Sequence, residues 1–416
     1  MSTTVSQAAA PRGAATLTGR FMPVGKHAWL EAARSERTRW ITALLGFFLV
    51  MDGGDMSWWP LQQPPAQFAL AGLALIVLLT LGAPARGTWL LVVALGAIMS
   101  VVLISTALSG NFIWTRLGTI SAWILLMYGV ARGALSMGSL ARGMGLGLFV
   151  SVIYGVVTLE SSSYTGRLTG LLGDPNTAGL ALVTLGLIAM LFLRRRWIRW
   201  VLALTVVAGV ILTASRTSML ALGIAAVVIL IGHRLHPLVV TALVWISVWW
   251  LSETTQTGAS AGSAWYERGF FLDREGSDIL RSQLASLEEH KRITGGLFGH
   301  GPGEAHVMLD DTVQMFSHNS YSAFQLEFGQ LGMAALMLLG LVLFWRYTRR
   351  SVYRDPTMSW AAAAVAAAVV CSASLGESLL TPSGAVAAGT LILVSRHARI
   401  RPDRPTQPGE GQWVRV

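Results

Sequence analysis

The sequence predicts an all-α, polytopic integral membrane protein with about twelve transmembrane helices. The 416-residue chain is 53% hydrophobic and only 12% charged, whereas a soluble domain usually carries about 25% charged residues. Apolar runs close to the roughly 20 residues that cross a bilayer recur along the chain. Basic residues concentrate in alternate loops, as the positive-inside bias requires. These three observations predict the same fold class independently.

Twelve apolar runs are the predicted membrane helices. They occupy residues 39–51, 66–83, 87–108, 112–131, 139–158, 174–193, 198–214, 217–232, 237–251, 320–345, 358–380 and 384–395. The first and last runs are short, and a short helix spans by thinning the bilayer or by using flanking residues.

The distribution of basic residues predicts the orientation. When the loops are numbered from a cytoplasmic N-terminus, all but eight of the 31 lysines and arginines fall on the inward side. A miscounted helix would invert every later loop, so the alternation predicts an even number of spans and two cytoplasmic termini. We therefore expect a multi-pass protein of the cytoplasmic (inner) membrane. The eight outward residues are Arg116, Arg167, Arg216, Arg268, Arg274, Arg281, Lys291 and Arg292.

Polar segments divide the chain into regions. Residues 1–38 and 396–416 are expected to be cytoplasmic tails, because they lack apolar runs and the second is rich in proline. Between them, 39–395 forms the transmembrane domain. Residues 252–319 form one large extracytoplasmic loop between helices 9 and 10, and a loop of this length usually has a function. An amphipathic helix is predicted within it over 277–292, where apolar residues recur at helical spacing: Ile279, Leu280, Leu284 and Leu287.

Composition also excludes several classes of function. The net charge of +10 comes from short loops rather than from a basic stripe, so no nucleic-acid partner is expected. Cys371 is the only cysteine, which excludes an internal disulfide and a thiolate metal cluster. The adjacent acids Asp310 and Asp311 lack the further spaced ligands of a cation site. No metal and no cofactor are predicted.

Arg167 and Arg216 are cations on the outward side of apolar runs. Charged groups near hydrocarbon are costly and usually face a cavity or a partner. No acid is adjacent to either arginine in sequence. An anionic ligand would satisfy both, because the guanidinium fork matches phosphate oxygens. The alternative is an interfacial arginine that reaches water or pairs with a distant carboxylate.

Asp174-Pro175-Asn176 predicts a helix start. Asp174 suits the N-cap position and Pro175 the first helical position. The helix would begin beside Arg167, and a helix N-terminus favours anions. An ordinary helix start without a ligand explains the motif equally well.

His318 is the candidate base. It lies in Ser317-His318-Asn319-Ser320-Tyr321, where the long loop meets the tenth apolar run. Imidazole titrates near neutrality and accepts a proton from a hydroxyl group. A structural or capping role is the alternative. Glu327 and Glu377 lie within apolar runs, where an acid is a functional candidate, and an internal hydrogen bond is the alternative for both.

Taken in order, these motifs resemble those of the O-antigen ligase and O-antigen polymerase superfamily. The resemblance includes Arg167-Leu168-Thr169-Gly170, Asp174-Pro175-Asn176, Ser215-Arg216-Thr217, Gly299-His300-Gly301-Pro302-Gly303, and His318-Asn319-Ser320-Tyr321 with Glu327 and Gly329-Gln330-Leu331-Gly332. It covers roughly residues 150–335 in motifs and the whole chain in topology. The ordered set carries the resemblance, since no single motif is specific.

The resemblance implies an inverting, metal-independent glycosyl transfer at the outer face of the membrane. The donor would be an undecaprenyl-diphosphate-linked glycan, and the acceptor a glycan, a lipid or a cell-wall component. By position, Arg216 and Arg281 match the family arginines that hold the diphosphate, and His318 matches the histidine that serves as base. Asp174 replaces the common asparagine, and Leu284 and Leu287 stand where an aromatic residue often follows Arg281, which leaves Arg274 open as the key loop arginine.

Substrate contacts are assigned to residues in and beside these motifs: Arg167, Asn176, Arg274, Asn319 and Tyr321. A ligase and a repeat-unit polymerase remain alternatives within the superfamily. From other classes, a transporter or flippase of an anionic solute is less favoured, because no internal repeat is evident and the suspect charges avoid the midplane. A passive membrane scaffold would need none of these residues.

Overall fold

The computed structural model describes residues 36–53, 63–80, 87–161, 164, 166–256, 275–309, 313–349, 354–376 and 378–398. The side chains of 36, 252–256, 275–282 and 378 are outside this description. Of these residues, 76% are helical. Most of both predicted tails, Arg274, Asp310, Asp311 and Glu377 lie outside the described residues, as does the side chain of Arg281.

Thirteen α-helices and one β-hairpin occupy the described ranges. The helices are α1 (Glu36–Phe48), α2 (Pro65–Leu79), α3 (Trp89–Ser109), α4 (Trp114–Arg132), α5 (Met137–Val157), α6 (Pro175–Phe192), α7 (Arg196–Leu212), α8 (Arg216–Ile231), α9 (Pro237–Gln256), α10 (Glu275–Thr294), α11 (Ser320–Tyr347), α12 (Pro356–Ser372) and α13 (Pro382–Ala398). Strands β1 (His306–Met308) and β2 (Gln314–Phe316) pair antiparallel between α10 and α11.

Each of the twelve apolar runs lies on one of these helices, and α10 is the predicted amphipathic segment. By length and composition, α3, α5, α6 and α11 are long and apolar enough to cross a membrane. The apolar helices α2, α8 and α12 and the apolar segment Pro237–Leu251 of α9 are shorter. The prediction of a mostly helical, apolar protein is thus confirmed. Several boundaries differ from the predicted ones: α1 is shifted to Glu36–Phe48, α9 continues to Gln256 and α13 continues to Ala398.

Helix α6 is the centre of the bundle. It contacts α5, α7, α8, α12 and α13, and nearly all its side chains are buried. Peripheral helices instead present large apolar side chains outward, among them Leu79, Trp114 and Val157, which are 75–80% exposed. An apolar exterior of this extent is characteristic of a surface that faces lipid or a partner.

Contacts between turns divide the bundle into two ends. The site end, where α6, α8 and α11 begin, contains one set of contacts: Gly53 with Leu172, Asn111 with Pro302, and Arg167 with Thr213. The opposite end contains another: Arg132 with Thr80, Arg396 with Ala131, and Gly87 beside Arg346. Turns that the sequence assigns to one side of the membrane therefore meet one another.

Helix α11 is broken at Gly329, whose φ of 64° and ψ of −160° are open only to glycine. In a continuous helix the amides of residues 330 and 331 would bond to the carbonyls of 326 and 327. Here those four groups bond to the loop that follows α10. The bonds are His300 N to Leu326 O (2.8 Å), Gly301 N to Glu327 O (3.0 Å), Gln330 N to Gly296 O (3.2 Å) and Leu331 N to Leu297 O (3.0 Å).

The glycine-rich loop over 295–303 is therefore hydrogen-bonded to the break in α11, although Leu297 remains 60% exposed. Glu327 is fully buried, and Arg116 Nη2 lies 2.9 Å from its Oε2. The amide of Gly303 donates to its Oε1 over 2.8 Å. Of the two roles predicted for Glu327, the structure supports internal bonding.

Helix α12 ends at Ser372, earlier than the predicted run 358–380. The chain then turns and forms a 3₁₀ turn at Ser378–Leu380. The turn lies against the segment before α11, where a side chain at Gly376 would overlap the carbonyl of Ser317. The Ser320 hydroxyl donates to the carbonyl of Leu375 in the same turn. The end of α12 is set by this close approach to the Ser317 backbone. Hydrophobicity alone therefore does not reveal where α12 ends.

Candidate functional site

A small polar cleft opens at the site end of the bundle between α10, the start of α11 and the turn after α12. Its volume is about 110 Å³, room for several water molecules or a small polar group. Its lining is mostly polar: Leu284, Ala285, Glu288, Glu289, Arg292, His318, Asn319, Ser322, Ala373 and Ser374. Two of the predicted site residues, His318 and Asn319, are among them.

His318 precedes α11 and has an exposed side chain. The flanking backbone is fixed on both sides. The amide of Ser317 donates to the carbonyl of Ala305 over 3.0 Å, which joins the segment to the hairpin. Asn319 caps α11, because its Oδ1 accepts from the amide of Tyr321 over 2.9 Å. The imidazole is thus reachable by solvent on a well-held backbone, as a proton acceptor must be.

Glu288 is the buried acid of the cleft. Its residue is 8% exposed, and it accepts hydrogen bonds from the Ser317 hydroxyl and the His318 amide. Burial raises the pKa of this carboxyl, while those two bonds and the charge of Arg292 partly oppose the increase. Arg292 itself is paired with Glu289 on the same helix.

Arg216 opens α8 beside this cleft. Ser215 caps the helix, accepting from the amide of Ser218 over 3.4 Å, and the Arg216 side chain is exposed. The next residue, Thr217, has its Oγ1 2.5 Å from Oγ of Ser374, which lines the cleft. The first turn of α8 therefore borders the same site as His318, although the two are about a hundred residues apart in sequence.

Arg167 lies against the turn that leads into α8. Its Nε donates to the carbonyl of Thr213 over 3.0 Å, and the amide of Leu168 donates to the carbonyl of Leu212 over 2.9 Å. Its guanidinium carbon also lies 6.0 Å from the centroid of the Tyr164 ring. The structure thus brings the loop of Arg167 and the turn of Arg216 together.

Asn176 lies in the first turn of α6 at the same end. Asp174 caps this helix as predicted, since its Oδ1 accepts from the amide of Asn176 over 2.9 Å. Gly179, one turn further, lies so close to Ser218 that a side chain there would overlap it. The N-termini of α6 and α8 are thus neighbours, and both contribute positive helix dipoles to the site end.

Tyr321 and the two loop arginines, Arg274 and Arg281, are predicted site residues that are not among the described residues lining the cleft. The Tyr321 hydroxyl donates to the carbonyl of Val369 over 3.1 Å, which directs it toward α12. Arg281 lies on α10, three residues before the cleft residue Leu284, and Arg274 lies outside the described residues. Within the described part of the chain, the site thus comprises His318, Asn319 and the turns of Arg167 and Arg216.

Two polar residues important for the cleft, Glu288 and Ser374, are not among the site residues predicted from the sequence. Glu288 lies one turn after Leu284, which is 1% exposed, whereas the predicted apolar position Leu287 is 37% exposed. The spacing of Leu284 and Glu288 was a usable signal, because an acid four residues from a buried leucine falls on the buried face. Ser374 gave no such signal in the sequence, because its place in the cleft depends on the early end of α12.

The chemistry available at this end combines cations, helix N-termini and a solvent-reachable imidazole. Arginines beside two helix N-termini favour an anionic oxygen group such as phosphate. The imidazole of His318, in its neutral form, can accept a proton from a hydroxyl group.

A scan against models of known protein families finds no match to this sequence. A search of curated proteins likewise finds no relative.

Proposed function

We propose that this protein transfers a glycan from a polyprenyl-diphosphate-linked donor to an acceptor hydroxyl at the outer face of the cytoplasmic membrane. The principal support is the convergence of the Arg216 turn and His318 on one cleft, through the contact of Thr217 with Ser374. The resemblance to the O-antigen ligase and polymerase superfamily assigns diphosphate binding and base catalysis to these two positions.

The topology proposed for this activity has twelve spans, two cytoplasmic termini and the site end outside. The arrangement of turns at two ends supports it, because each of the six contacts described for those ends joins segments that the charge distribution assigns to one side. Residues 252–319 then form one extracytoplasmic connection that contains α10 and the hairpin.

The reaction proposed is a single displacement. The acceptor oxygen attacks the anomeric carbon of the donor sugar as the bond from that carbon to the diphosphate oxygen breaks. The electron pair of the broken bond leaves with the lipid diphosphate, and His318 takes the acceptor hydroxyl proton. Arg216 and Arg281 stabilise the charge that develops on the diphosphate, with Arg167 in support. The activated donor supplies the free energy, so the proposal requires no cofactor.

The test is a transfer assay with purified protein in nanodiscs, an undecaprenyl-diphosphate-linked oligosaccharide and a panel of glycan, lipid and cell-wall acceptors. His318→Ala is expected to lower the rate about 10²-fold or more, and Arg216→Ala to abolish detectable transfer. His290→Ala and Arg195→Ala are matched controls, because both side chains are exposed and lie away from the cleft lining.

The products distinguish the alternatives. One large mass shift of the acceptor supports a ligase, and a ladder of repeats on the lipid carrier supports a polymerase. Anion uptake into proteoliposomes without any glycosyl transfer would overturn the proposal in favour of a transporter. Unchanged transfer in both His318→Ala and Arg216→Ala would overturn the assignment of the site.

A further inference from the structure

The cleft carries charges that do not suit the diphosphate. Its lining includes two carboxylates, Glu288 and Glu289, and one guanidinium, that of Arg292, which is already paired with Glu289. An anionic ligand placed there would meet two acids and compete for Arg292, the one lysine or arginine among the described residues of the lining. The chemistry favours a neutral, hydroxyl-rich group, whose donors a carboxylate can accept.

Two of the three arginines proposed for the donor lie outside this cleft. Arg216 is on α8 and Arg167 on the loop before α6, and neither belongs to the cleft lining. The third, Arg281, is on α10, and its side chain lies outside the described residues. Thr217 and Ser374 mark the border between the arginine turn and the cleft. Two neighbouring regions of opposite character therefore meet at the contact of Thr217 with Ser374, and His318 lines one of them. This arrangement suits a transfer between two different substrates.

We propose that the cleft between α10 and the start of α11 is the acceptor subsite and that Glu288 is its specificity-determining carboxyl. This inference rests on the proposed function and assigns the two substrates to separate regions of the site. Glu288 accepts a bond from the His318 amide, so one side chain both borders the acceptor and positions the base. Because Glu288 is buried, its carboxyl must keep its hydrogen-bond partners.

The experiment measures initial transfer rates while each substrate is varied separately. Glu288→Gln keeps the size of the side chain and removes its charge, and it is expected to raise the acceptor KM about tenfold or more while leaving the donor KM within about twofold. Arg216→Lys is expected to raise the donor KM and to leave the acceptor KM within about twofold, because a lysine cannot replace the guanidinium fork. Glu160→Gln is the matched control, since Glu160 is exposed and lies at the end of α5.

A second variant covers the case in which Glu288→Gln fails to fold. Ala285 lines the cleft and is only partly buried, so Ala285→Phe fills the cleft without removing a hydrogen bond. It is expected to raise the acceptor KM in the same way. A rise in the donor KM, or equal loss of kcat with both KM values unchanged, would overturn the assignment of the cleft to the acceptor.

Direct binding separates this inference from the proposed function. Maltotriose serves as a neutral hydroxyl-rich probe and inorganic pyrophosphate as an anionic probe, both followed by saturation-transfer NMR on the full chain in nanodiscs. Maltotriose contacts should be lost in Ala285→Phe and kept in Arg216→Ala, and pyrophosphate contacts should show the opposite pattern. If this binding pattern is observed but no glycosyl transfer is detected, the proposed enzymatic function is refuted, whereas the division of the site into two binding regions is retained. Pyrophosphate displaced by Ala285→Phe would refute the division itself.

Discussion

Arg116 and Glu327, 211 positions apart in the chain, form an ion pair inside the helical bundle. Both the Nε and the Nη2 of Arg116 donate to the same carboxylate oxygen, over 3.2 and 2.9 Å. The other oxygen accepts from the amide of Gly303. This pair joins α4, the loop after α10 and the broken helix α11, which carries His318 just before its first turn.

Loss of Glu327 should therefore destabilise the protein strongly. Glu327→Ala leaves the Arg116 guanidinium buried and without its carboxylate, which typically costs about 3–5 kcal/mol. The measurement is thermal unfolding of the purified protein in detergent. Glu289→Ala is the matched control, because its partner is the exposed Arg292 and such pairs contribute about 1 kcal/mol or less. Equal melting temperatures for the two variants would contradict the structural role of Glu327.

Substitution of the glycine at the break of α11 should be equally informative. Alanine at Gly329 would occupy a backbone region that costs about 1–3 kcal/mol and would also overlap the backbone of Leu297 and Gly299. Gly340→Ala is the control on the same helix, where an added methyl group meets nothing within 4 Å. It should be neutral or stabilising by up to about 1 kcal/mol. Thermal unfolding of the two variants checks the difference, and a stable Gly329→Ala variant would argue for an unbroken α11.

The turn after α12 should control activity through the position of His318. Gly376→Ala would push the carbonyl of Ser317 and with it the neighbouring imidazole. We expect transfer activity to fall about 10²-fold, as for a misplaced catalytic group, with a smaller effect on the melting temperature. Gly96→Ala, which also meets nothing within 4 Å, is the control. Full activity in Gly376→Ala would show that the turn does not position the base.

The stability of the protein should depend on pH through Glu288. Burial raises the pKa of its carboxyl above the usual value of 4.5, against the opposing effects of Arg292 and of the bonds from Ser317 and His318. Because the folded state holds this proton more tightly than the unfolded chain, the contribution favours folding below pH 4.5 and is lost as pH rises through the raised pKa.

Glu288→Gln cannot ionise, so its melting temperature minus that of the wild type should increase as pH rises from 4.5. Melting curves across a pH series measure this difference directly. Ser286→Ala, on the same helix and without a titrating group, should give a difference that does not vary with pH. A Glu288→Gln difference that is flat or decreases with pH would contradict the direction of the shift.

Cysteine labelling should establish which end of the bundle faces outward. The native Cys371 is fully buried, so the wild type should react little with a membrane-impermeant maleimide. Cysteines introduced at Ser161 and Gln314, which are exposed near the site end, should react in intact cells. A cysteine at Arg195, exposed at the opposite end, should react only after permeabilisation. The reverse pattern would place the proposed chemistry on the cytosolic side.

The helices were predictable because each is long enough to leave a hydrophobic signal. Even α10 followed from the spacing of Leu284 and its apolar neighbours. The end of α12 was not predictable, because 373–376 are as apolar as the helix before them and stop being helical only where they meet the Ser317 backbone. The break at Gly329 was hidden in the same way, since glycine also occurs within ordinary helices such as α11 at Gly340.

The candidate site was only partly predictable for a related reason. His318 and Arg216 could be selected from the sequence, because a base and a cation at helix starts are unusual in an apolar chain. Their proximity depends on Thr217 and Ser374, two ordinary hydroxyl residues whose contact no sequence pattern indicates. Glu288 was overlooked because an acid on an amphipathic helix is usually a solvent-facing residue.

The buried pair also bears on how the protein is made. The two groups that the described residues bring to the Glu327 carboxylate both precede it in the chain: Arg116 on α4 and the Gly303 amide. A ribosome therefore completes these two partners before the acid itself emerges. Both are available to bond to the carboxylate as soon as helix α11 is synthesised.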